Sequence, residues 1–263
     1  MRLILYLFAV AVLMVGSALT THAVVQDDGL ILYFSFDDAK NGTVMDETGG
    51  GNDGAIDGAE IATDQVVYGN GSLLCDDGND GVSVDSFPAL EEYTDNSYLF
   101  WLNFTDVNSG AWNQIIAKKA PGSDRSPGIW TCNRASLHIH YRFNPGNQGT
   151  LCAGPDGEDD EFAVGDWHHI AGVKEGDKLR FYVDGEEVVE QTVPASHAQG
   201  AEKLYIGKTG YASALFYIDD LYVYDRAVSA DEVAIVMDGG LLTPVEPQNK
   251  LATTWGHLKT RRD

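Results

Sequence analysis

The sequence predicts an all-β fold, a sandwich or jelly roll of antiparallel strands, with one short helix near the C-terminal end. Strand-like segments recur about every 8 to 15 residues between Gly, Asn and Asp turns, a spacing typical of such folds. The single helix signal is a capping box at Ser229–Glu232, followed by about two turns that end at Gly239-Gly240. The core is therefore expected to lie between sheets.

The clearest strand pattern lies between Asp166 and Gly185, which reads DWHHIAGVKEGDKLRFYVDG. The first predicted strand places alternate residues on one face: Trp167, His169, Ala171 and Val173. The second does the same with Leu179, Phe181 and Val183. Alternation with a period of two is typical of half-buried strands, and Asp184-Gly185 favours a type I′ turn into Glu186–Val189. We predict three antiparallel strands with one apolar face, which a second sheet must cover.

Further strands are predicted on both sides of this hairpin. They are Gly29–Phe36, Ser97–Phe104, Trp112–Lys118, Ile129–Asn133, Leu137–Phe143, Thr150–Ala153, Lys203–Gly207 and Leu215–Tyr224. Ser72–Asp85 predicts two strands joined by an Asp/Gly/Asn turn. Two segments predict loops: Asn41–Gly58, because it is rich in glycine, and Pro155–Glu161, which is acidic.

The chain has 263 residues and divides into four predicted parts. Residues 1–23 have the charged, apolar and small-residue regions of a secretory signal peptide, with an uncleaved membrane anchor as the alternative. Residues 24–28 form a linker and residues 29–240 a single domain, since sandwiches of this length are common. Residues 241–263 form a Pro-containing spacer and a basic tail, either disordered or docking on the acidic domain. After signal cleavage no membrane span is expected.

The formal net charge is −23. Such a surface repels nucleic acid phosphates and anionic lipids, so these partners are excluded. Many of the carboxylates lie in predicted loops and form a solvated acidic exterior. The same surface suits the binding of divalent cations.

Three cysteines occur, at Cys75, Cys132 and Cys152. An exported chain can pair two of them and leave one over. We predict a disulfide between Cys132 and Cys152, which lie on neighbouring strands of one local sheet, while three free buried thiols are the alternative. The spacing does not match a zinc motif.

Several stretches, taken in order, resemble one family. They are GLILYFSFDD, DETGGGNDGAIDGAEI, WHHIAGV with LRFYVDG, and IDDLYVYDRAVSADEV. Together they resemble the laminin G-like jelly rolls of the concanavalin A-like superfamily, from Gly29 to Asp238. The departures lie between Trp112 and Glu161, where ligand loops of such domains tend to sit. The resemblance implies a two-sheet antiparallel jelly-roll sandwich.

The resemblance also implies a structural calcium ion at the rim, tying the end of the first strand to the last strand. Here the ligands would be Asp37 and Asp219, with further oxygens from the loop between Asp46 and Asn52. Calcium takes six to eight oxygen ligands, and a glycine-rich loop presents its carbonyls freely. Ordinary turn or edge carboxylates at Asp37 and Asp219 are the alternative.

The sequence favours a binding module over an enzyme. Glycosidases of this superfamily place their carboxylates as Glu-x-Asp-x-x-Glu on one strand, and that string does not occur. The nearest cluster, Glu158–Glu161, lies in a predicted loop. A serine-nucleophile elbow, a zinc-protease motif and a phosphate loop are also missing. A glycosidase with displaced carboxylates, or a structural cell-surface protein, are the alternatives to an extracellular module.

Candidate ligand-binding residues lie in the divergent middle of the chain. They are Trp112, Trp130, His138, His140, Tyr141 and Arg142. Aromatic rings with flanking donors suit a glycan or an extracellular protein surface, although each ring can equally belong to the core. His138 and His140 share one strand face with Arg142, which suits either a polar face or half of a zinc site.

Overall fold

The computed structural model describes residues 28–107, 109–118, 127–142, 152–158, 160–195 and 200–240. The predicted signal peptide at 1–23, most of the linker, and the spacer and tail at 241–263 lie outside these residues. Neither described helix has the length and apolar character that a membrane span requires.

The described elements are fifteen strands and two short helices. In chain order they are β1 (Leu30–Phe34), β2 (Thr43–Val44), β3 (Gly54–Asp57), β4 (Glu60–Ala62), β5 (Ser72–Cys75), β6 (Gly81–Val84), α1 (Pro88–Glu92), β7 (Asn96–Phe104), β8 (Asn113–Lys118), β9 (Gly128–Thr131), β10 (Ile139–Arg142), β11 (Trp167–Glu175), β12 (Lys178–Val183), β13 (Glu186–Thr192), β14 (Leu204–Gly207), β15 (Phe216–Tyr224) and α2 (Ala230–Met237). The predicted loop at Asn41–Gly58 therefore contains two short strands, β2 and β3.

The strands form two antiparallel sheets, which confirms the two-sheet jelly-roll sandwich. The first sheet runs β13-β12-β11-β7-β15-β5-β4, and β1 also pairs with β15. The second sheet runs β10-β9-β8-β14-β6-β3-β2. β15 is central to the first sheet, because it pairs with β7 on one side and with both β5 and β1 on the other.

The main hydrophobic core lies between the two sheets. β7 contributes Phe100 and Leu102, β8 contributes Ile115 and Ile116, and β12 contributes Phe181, all of them fully or nearly fully buried. Close packing requires a glycine in β11: a Cβ at Gly172 would lie 2.3 Å from the ring of Tyr141. Gly172 therefore lets a tyrosine of the second sheet pack directly on the backbone of the first.

A second apolar cluster covers part of the outer face of the first sheet, beneath α2. Its sheet residues include Ala171 and Val173 of β11, and Val233 and Val236 of α2 pack on them. The prediction that the hairpin has one apolar face is therefore wrong. Ala171 and Val173 face α2, whereas Leu179, Phe181 and Val183 face the core between the sheets. The hairpin is buried on both faces, because the second sheet covers one face and α2 covers the other.

The predicted C-terminal helix is confirmed, with its capping box. The Ser229 side chain accepts a hydrogen bond from the backbone N–H of Glu232, and the Glu232 carboxylate accepts one from the Ser229 N–H. A second helix, α1, for which the sequence showed no signal, forms over the five residues Pro88–Glu92. α1 begins at Pro88 without a side-chain cap, so it lacks the signal that identified α2.

The predicted disulfide is confirmed, since Cys132 and Cys152 are bonded and Cys75 is a free, buried thiol. Cys132 follows β9, and its N–H donates to the His138 carbonyl across the turn to β10. Next to Cys152, Ala153 exchanges two backbone hydrogen bonds with Ile139 of β10. The disulfide therefore ties the segment after β10 back to the end of β9.

Candidate ligand-binding and metal sites

A cavity of about 220 Å³ opens where loops from both sheets meet. Its lining combines apolar side chains with polar ones: Gly78, Phe104, Asp106, Val107, Ser109, Asn113, Thr131, Leu137, Ser213, Ala214 and Leu215. We call it the loop-end cavity. The Asn113 amide is fixed in this wall, because its Nδ2 donates to the Ser213 carbonyl at 3.2 Å and its Oδ1 accepts from Ser109 at 3.1 Å. The cavity thus presents an apolar floor and oriented polar groups.

An exposed tryptophan directly precedes a residue of the loop-end cavity in the sequence. Trp112 directly precedes the cavity residue Asn113 and keeps 38% of its surface exposed. Its ring lies 5.0 Å from the ring of His140, which in turn lies 6.0 Å from Trp130. Tyr211 packs edge-on against Trp130 from the other side. Trp112 is therefore the exposed outer member of a packed aromatic cluster.

The predicted ligand residues occupy three different environments. Trp112 is exposed, as a ligand platform requires. Tyr141 belongs to the core between the sheets, near Phe181. The other four are largely buried, with 2% of Trp130, 5% of His138, 3% of His140 and 9% of Arg142 exposed. Of the predicted set, Trp112 is the exposed member, and His140 and Trp130 pack beneath it.

A second cavity, which the sequence reasoning missed, lies along the second sheet and has a volume of about 390 Å³. Its lining residues are Asp57, Asn79, Gly81, Val82, Ser83, Tyr205, Lys208, Thr209 and Gly210. Tyr205 lies between the core residues Leu204 and Ile206, so its ring points away from the core. That alternation was the available sequence signal. Lys208 donates to the Asn79 side chain at 3.1 Å.

Two adjacent carboxylates lie buried at a β-bulge of β15. The register with β7 shifts between Asp219 and Tyr222, and Asp220 has a φ of 48°, in the left-handed region. Within the described part of the chain, Asp219 Oδ1 and Asp220 Oδ2 are buried and accept no hydrogen bond. Burying a charged oxygen without a partner is costly, so this pair has unused capacity to hold a cation.

The loop before β5 surrounds these carboxylates. Asp219 Oδ2 accepts hydrogen bonds from the backbone N–H groups of Val67, at 2.8 Å, and Tyr68, at 3.3 Å. Asp37 Oδ1 accepts from the N–H groups of Asn70 and Gly71 in the same loop. The structure therefore places Asp37 and Asp219 against the loop before β5, rather than against the Asp46–Asn52 loop named in the prediction, and Asp220 lies next to Asp219.

The electrostatics of this bulge favour a positive charge. Burial, and then the neighbouring charge of Asp220, raises the pKa of Asp219 to about 7. Burial also raises the pKa of Asp220 to about 6, and the charge of Asp37 adds to that effect. The charges of Asp219 and Asp220 therefore repel each other, and the charge of Asp37 repels that of Asp220, at a largely buried bulge. A hard divalent cation with oxygen ligands would relieve that repulsion.

The other predicted calcium ligands, Asp46 and Asn52, organise their own loop. Asp46 Oδ1 accepts from the Thr48 hydroxyl at 2.7 Å and from the Thr48 N–H at 3.1 Å, while Asp46 Oδ2 accepts from the Asn52 N–H at 3.1 Å. Tyr33 connects the two regions, because its N–H donates to Asp46 and its hydroxyl donates to Asp220 at 2.7 Å. Both oxygens of the Asp46 carboxylate already accept hydrogen bonds, so the bulge carboxylates are the better cation ligands.

A third group of potential metal ligands involves the disulfide. Among the described residues, Cys132, His140 and Cys152 are the group whose ligand atoms lie within 4.8 Å of one another. Both sulfurs are consumed by the disulfide bond, and a metal would require them as thiolates. This group therefore does not support a zinc site at His140 in the oxidised protein.

The two antiparallel sheets place this chain among the jelly-roll β-sandwich domains. Residues 76–234 match a laminin G-like family model of the concanavalin A-like lectin/glucanases superfamily. The chain therefore belongs to this superfamily, which confirms the resemblance read from its motifs. No curated protein sequence matches the chain.

Solved structures share the fold at low sequence identity. The binding domain of Paraclostridial Mosquitocidal Protein 1 superposes with a TM-score of 0.61 at 11% identity, over 80% of this chain and 52% of that one. The receptor binding domain of botulinum neurotoxin D gives 0.59 at 15%, over 81% and 53%. A Trypanosoma rangeli sialidase in complex with sialic acid gives 0.59 at 13%, over 80% and 32%. The chain thus spans about half of each toxin domain and a third of the sialidase.

Proposed function

We propose that this protein is a non-catalytic extracellular recognition module that binds a glycan, or an extracellular protein surface, at its loop-end cavity, with a structural calcium ion at the β15 bulge. The observation that carries the proposal is a cavity of about 220 Å³ whose lining residue Asn113 directly follows the exposed Trp112 in the chain. The fold supports a binding role, because toxin binding domains share it. Export is part of the proposal and agrees with the predicted signal peptide and the disulfide.

The loop-end cavity has the chemistry that a sugar ring requires. Phe104, Leu137 and Leu215 offer an apolar floor for the C–H faces of the ring, and Trp112, adjacent in sequence to the cavity residue Asn113, offers an exposed aromatic ring. Asp106 and Asn113 supply an acceptor and an amide for hydroxyl groups. Small-molecule sites generally combine a mostly apolar cavity with a few placed polar groups in this way. The cavity along the second sheet offers Tyr205 and Lys208 for a longer glycan.

Replacing Trp112 with alanine is expected to weaken glycan binding. Loss of an exposed aromatic platform costs about 1 kcal/mol, or roughly fivefold in affinity. The measurement is a glycan array on the wild-type protein, with and without EDTA, followed by calorimetric titration of the best ligand into both proteins. Met45→Ala is the matched control, because Met45 is similarly exposed (39%) and does not line the cavity. Equal affinities for wild type and Trp112→Ala would contradict the assignment.

For calcium, the proposed ligands are Asp37, Asp219 and Asp220, with further oxygens from the surrounding loops and water. When bound, the ion would neutralise the buried carboxylates and tie the end of β1 to β15. Asp219 and Asp220 would hold it through the buried oxygens described above, and the backbone donors of Val67 and Tyr68 would orient Asp219. The role is structural, since the loop-end cavity has its own lining residues.

EDTA is expected to lower the melting temperature of the wild-type protein. A ligand at one hundred times its Kd stabilises a fold by about 2.7 kcal/mol, which is roughly 5–10 °C for a domain of this size. Asp219→Asn should abolish the difference between calcium and EDTA, because it removes a ligand charge. Asp38→Asn, at an exposed neighbour of Asp37, should retain the difference. An unchanged wild-type melting temperature in EDTA, measured by calorimetry, refutes the calcium assignment.

A glycosidase of the same fold is the competing function, and the structural likeness to a sialidase keeps it open. The acidic cluster at Glu158–Glu161 lies between the strands β10 and β11, and Glu158 and Glu161 are exposed. Its side chains are therefore not held on a common sheet face. The discriminating measurement is release of reducing ends from glycans that bind on the array. Release would establish the enzyme, whereas binding without release supports the recognition module.

A further inference from the structure

We propose that the outer face of the first sheet carries a second ligand surface, an aromatic strip around Trp167 and Tyr217 that binds amine-bearing polysaccharides. The strip is defined as Trp167, Asn103, Tyr217, Leu74 and Glu60. It lies on the opposite sheet from Tyr205 and does not depend on the function proposed for the loop-end cavity. A cationic amino-sugar chain is the ligand class that its rings and carboxylates fit.

The strand register places these five residues in one row. Trp167 of β11 pairs with Asn103 of β7, and Asn103 pairs with Tyr217 of β15. Tyr217 pairs with Leu74 of β5, and Leu74 pairs with Glu60 of β4. Directly paired residues point to the same side of a sheet. Five strands at their usual separation give the row a length of about 19 Å.

The row faces outward, away from the core between the sheets. The neighbours of Tyr217 and Leu74 along their strands, such as Phe216 and Leu73, belong to the main core. Because side chains alternate, Tyr217 and Leu74 point to the other side. Trp167, Tyr217 and Leu74 are partly exposed, and Glu60 is exposed. The helix α2 packs on the same face further along the strands, over Ala171 and Tyr222, and so leaves the row accessible.

The two aromatic rings of the strip lie close together. The ring centroids of Trp167 and Tyr217 are 6.3 Å apart, with the planes inclined at 45°. Asn103 lies between them in the register, and its Nδ2 donates to the Gly165 carbonyl at 3.0 Å. This hydrogen bond fixes the position of the Asn103 side chain in the middle of the row. Two adjacent rings on a flat sheet provide a stacking surface for consecutive units of an extended chain.

Carboxylates give the strip a negative field. The pKa of Tyr217 is raised first by its partial burial and then by the charges of Asp64, Asp76 and Glu60. All three carboxylates are exposed, and the whole chain carries a net charge of −23. An ammonium group over an aromatic ring is attracted by the ring and, here, also by the flanking carboxylates. Anionic glycans are repelled by the same charges.

A row of rings and acids about 19 Å long suits a polymer more than a single sugar. The pyranose faces of an amino-sugar chain can stack on Trp167 and Tyr217, while its ammonium groups reach Glu60 or Asp64. A neutral chain would keep the stacking and lose the charge attraction. A basic peptide would keep the charge attraction and lose most of the stacking. Each of these ligands can therefore be compared with the amino-sugar chain.

The test is calorimetric titration of the full chain, at mildly acidic pH, with a glucosamine hexasaccharide and its fully N-acetylated counterpart. We expect the glucosamine chain to bind roughly tenfold more tightly, and its affinity to fall as salt is raised. Trp167→Ala and Tyr217→Ala should each lower that affinity by roughly tenfold. The double variant Glu60→Gln/Asp64→Asn should remove the preference for the free amine while retaining the stacking.

Tyr205→Ala is the matched control, because Tyr205 is a partly exposed tyrosine of the other sheet and should leave the affinity unchanged. Thermal unfolding of each variant shows that the fold is intact. Equal binding of both hexasaccharides, or unchanged binding by Trp167→Ala, overturns the proposal. A lysine-rich peptide that binds more tightly than the glucosamine chain and needs Trp167 would assign the strip to a basic protein instead. Results with Trp112→Ala bear on the loop-end cavity and leave these outcomes unaffected.

Discussion

Replacing both Cys132 and Cys152 with alanine is expected to lower the free energy of unfolding by about 3 kcal/mol. The disulfide closes a loop with a sequence separation of 20 residues, and in the chain-entropy model a loop of this size restricts the unfolded chain by about that amount. For a domain of this size the loss corresponds to roughly 6–12 °C in melting temperature. Calorimetry of the two proteins without reductant measures it.

Cys75→Ala is the control for this experiment. Cys75 is buried and free, so the variant keeps the disulfide and loses only a small buried side chain, at a cost of about 1 kcal/mol. Thiol titration of denatured, unreduced wild-type protein should give one free thiol, whereas Cys75→Ala should give none. A double alanine variant with the wild-type melting temperature would show that the disulfide does not restrict the unfolded chain as expected.

Acid is expected to destabilise the fold through His169, by about 3 kcal/mol between pH 7 and pH 4. His169 is 1% exposed, and within the described residues neither ring nitrogen has a hydrogen-bond partner. Burial lowers its pKa from 6.5 to about 4, against the opposing charge of Asp184. Below pH 6.5 this histidine is protonated in the unfolded chain, whereas in the folded protein it stays neutral until about pH 4. Stability is therefore complete above pH 6.5 and is lost as the pH falls through this window.

The variant His169→Phe isolates this effect. Phenylalanine fits an apolar site beside Trp101, whose ring lies 5.3 Å from that of His169, and it cannot take up a proton. The carboxylates of Asp219 and Asp220 have raised pKa values and so change stability in the opposite direction. They are common to both proteins and cancel in the difference. Urea titrations at several pH values should show that wild type and His168→Gln lose stability relative to His169→Phe, by about 3 kcal/mol between pH 7 and pH 4. Parallel pH profiles for wild type and His169→Phe would contradict the assignment.

Local signals in the sequence were enough to predict much of the fold. Asp184 and Gly185 both have positive φ values, 50° and 84°, as the predicted I′ turn requires. The capping box at Ser229 and the Cys132–Cys152 pair also depend on short stretches of chain. Each of these features follows from residue types at fixed spacing, so each could be predicted without knowing the three-dimensional neighbours.

The candidate ligand and carboxylate sites depend on contacts between residues that are distant in the sequence, and the spacing of residue types does not encode such contacts. Trp130, His140 and Arg142 alternate with core residues as predicted for an outward face, yet they are largely buried. Trp112 packs over His140, and Tyr211, distant in sequence, packs over Trp130. Asp220 was missed because a regular strand would place it on the inner face. The bulge in β15 instead places both Asp219 and Asp220 in the carboxylate site.

The central place of β15 has a consequence for how the chain folds during synthesis. β15 joins β7 to β5 and β1, so the first sheet remains in three unconnected parts until the chain is complete as far as Tyr224. Pairing of β1 with β15 closes a loop of nearly the whole domain, a high contact order that slows folding. The first sheet can therefore be completed only after nearly all of the domain has been synthesised, whereas every strand of the second sheet precedes β15 in the chain.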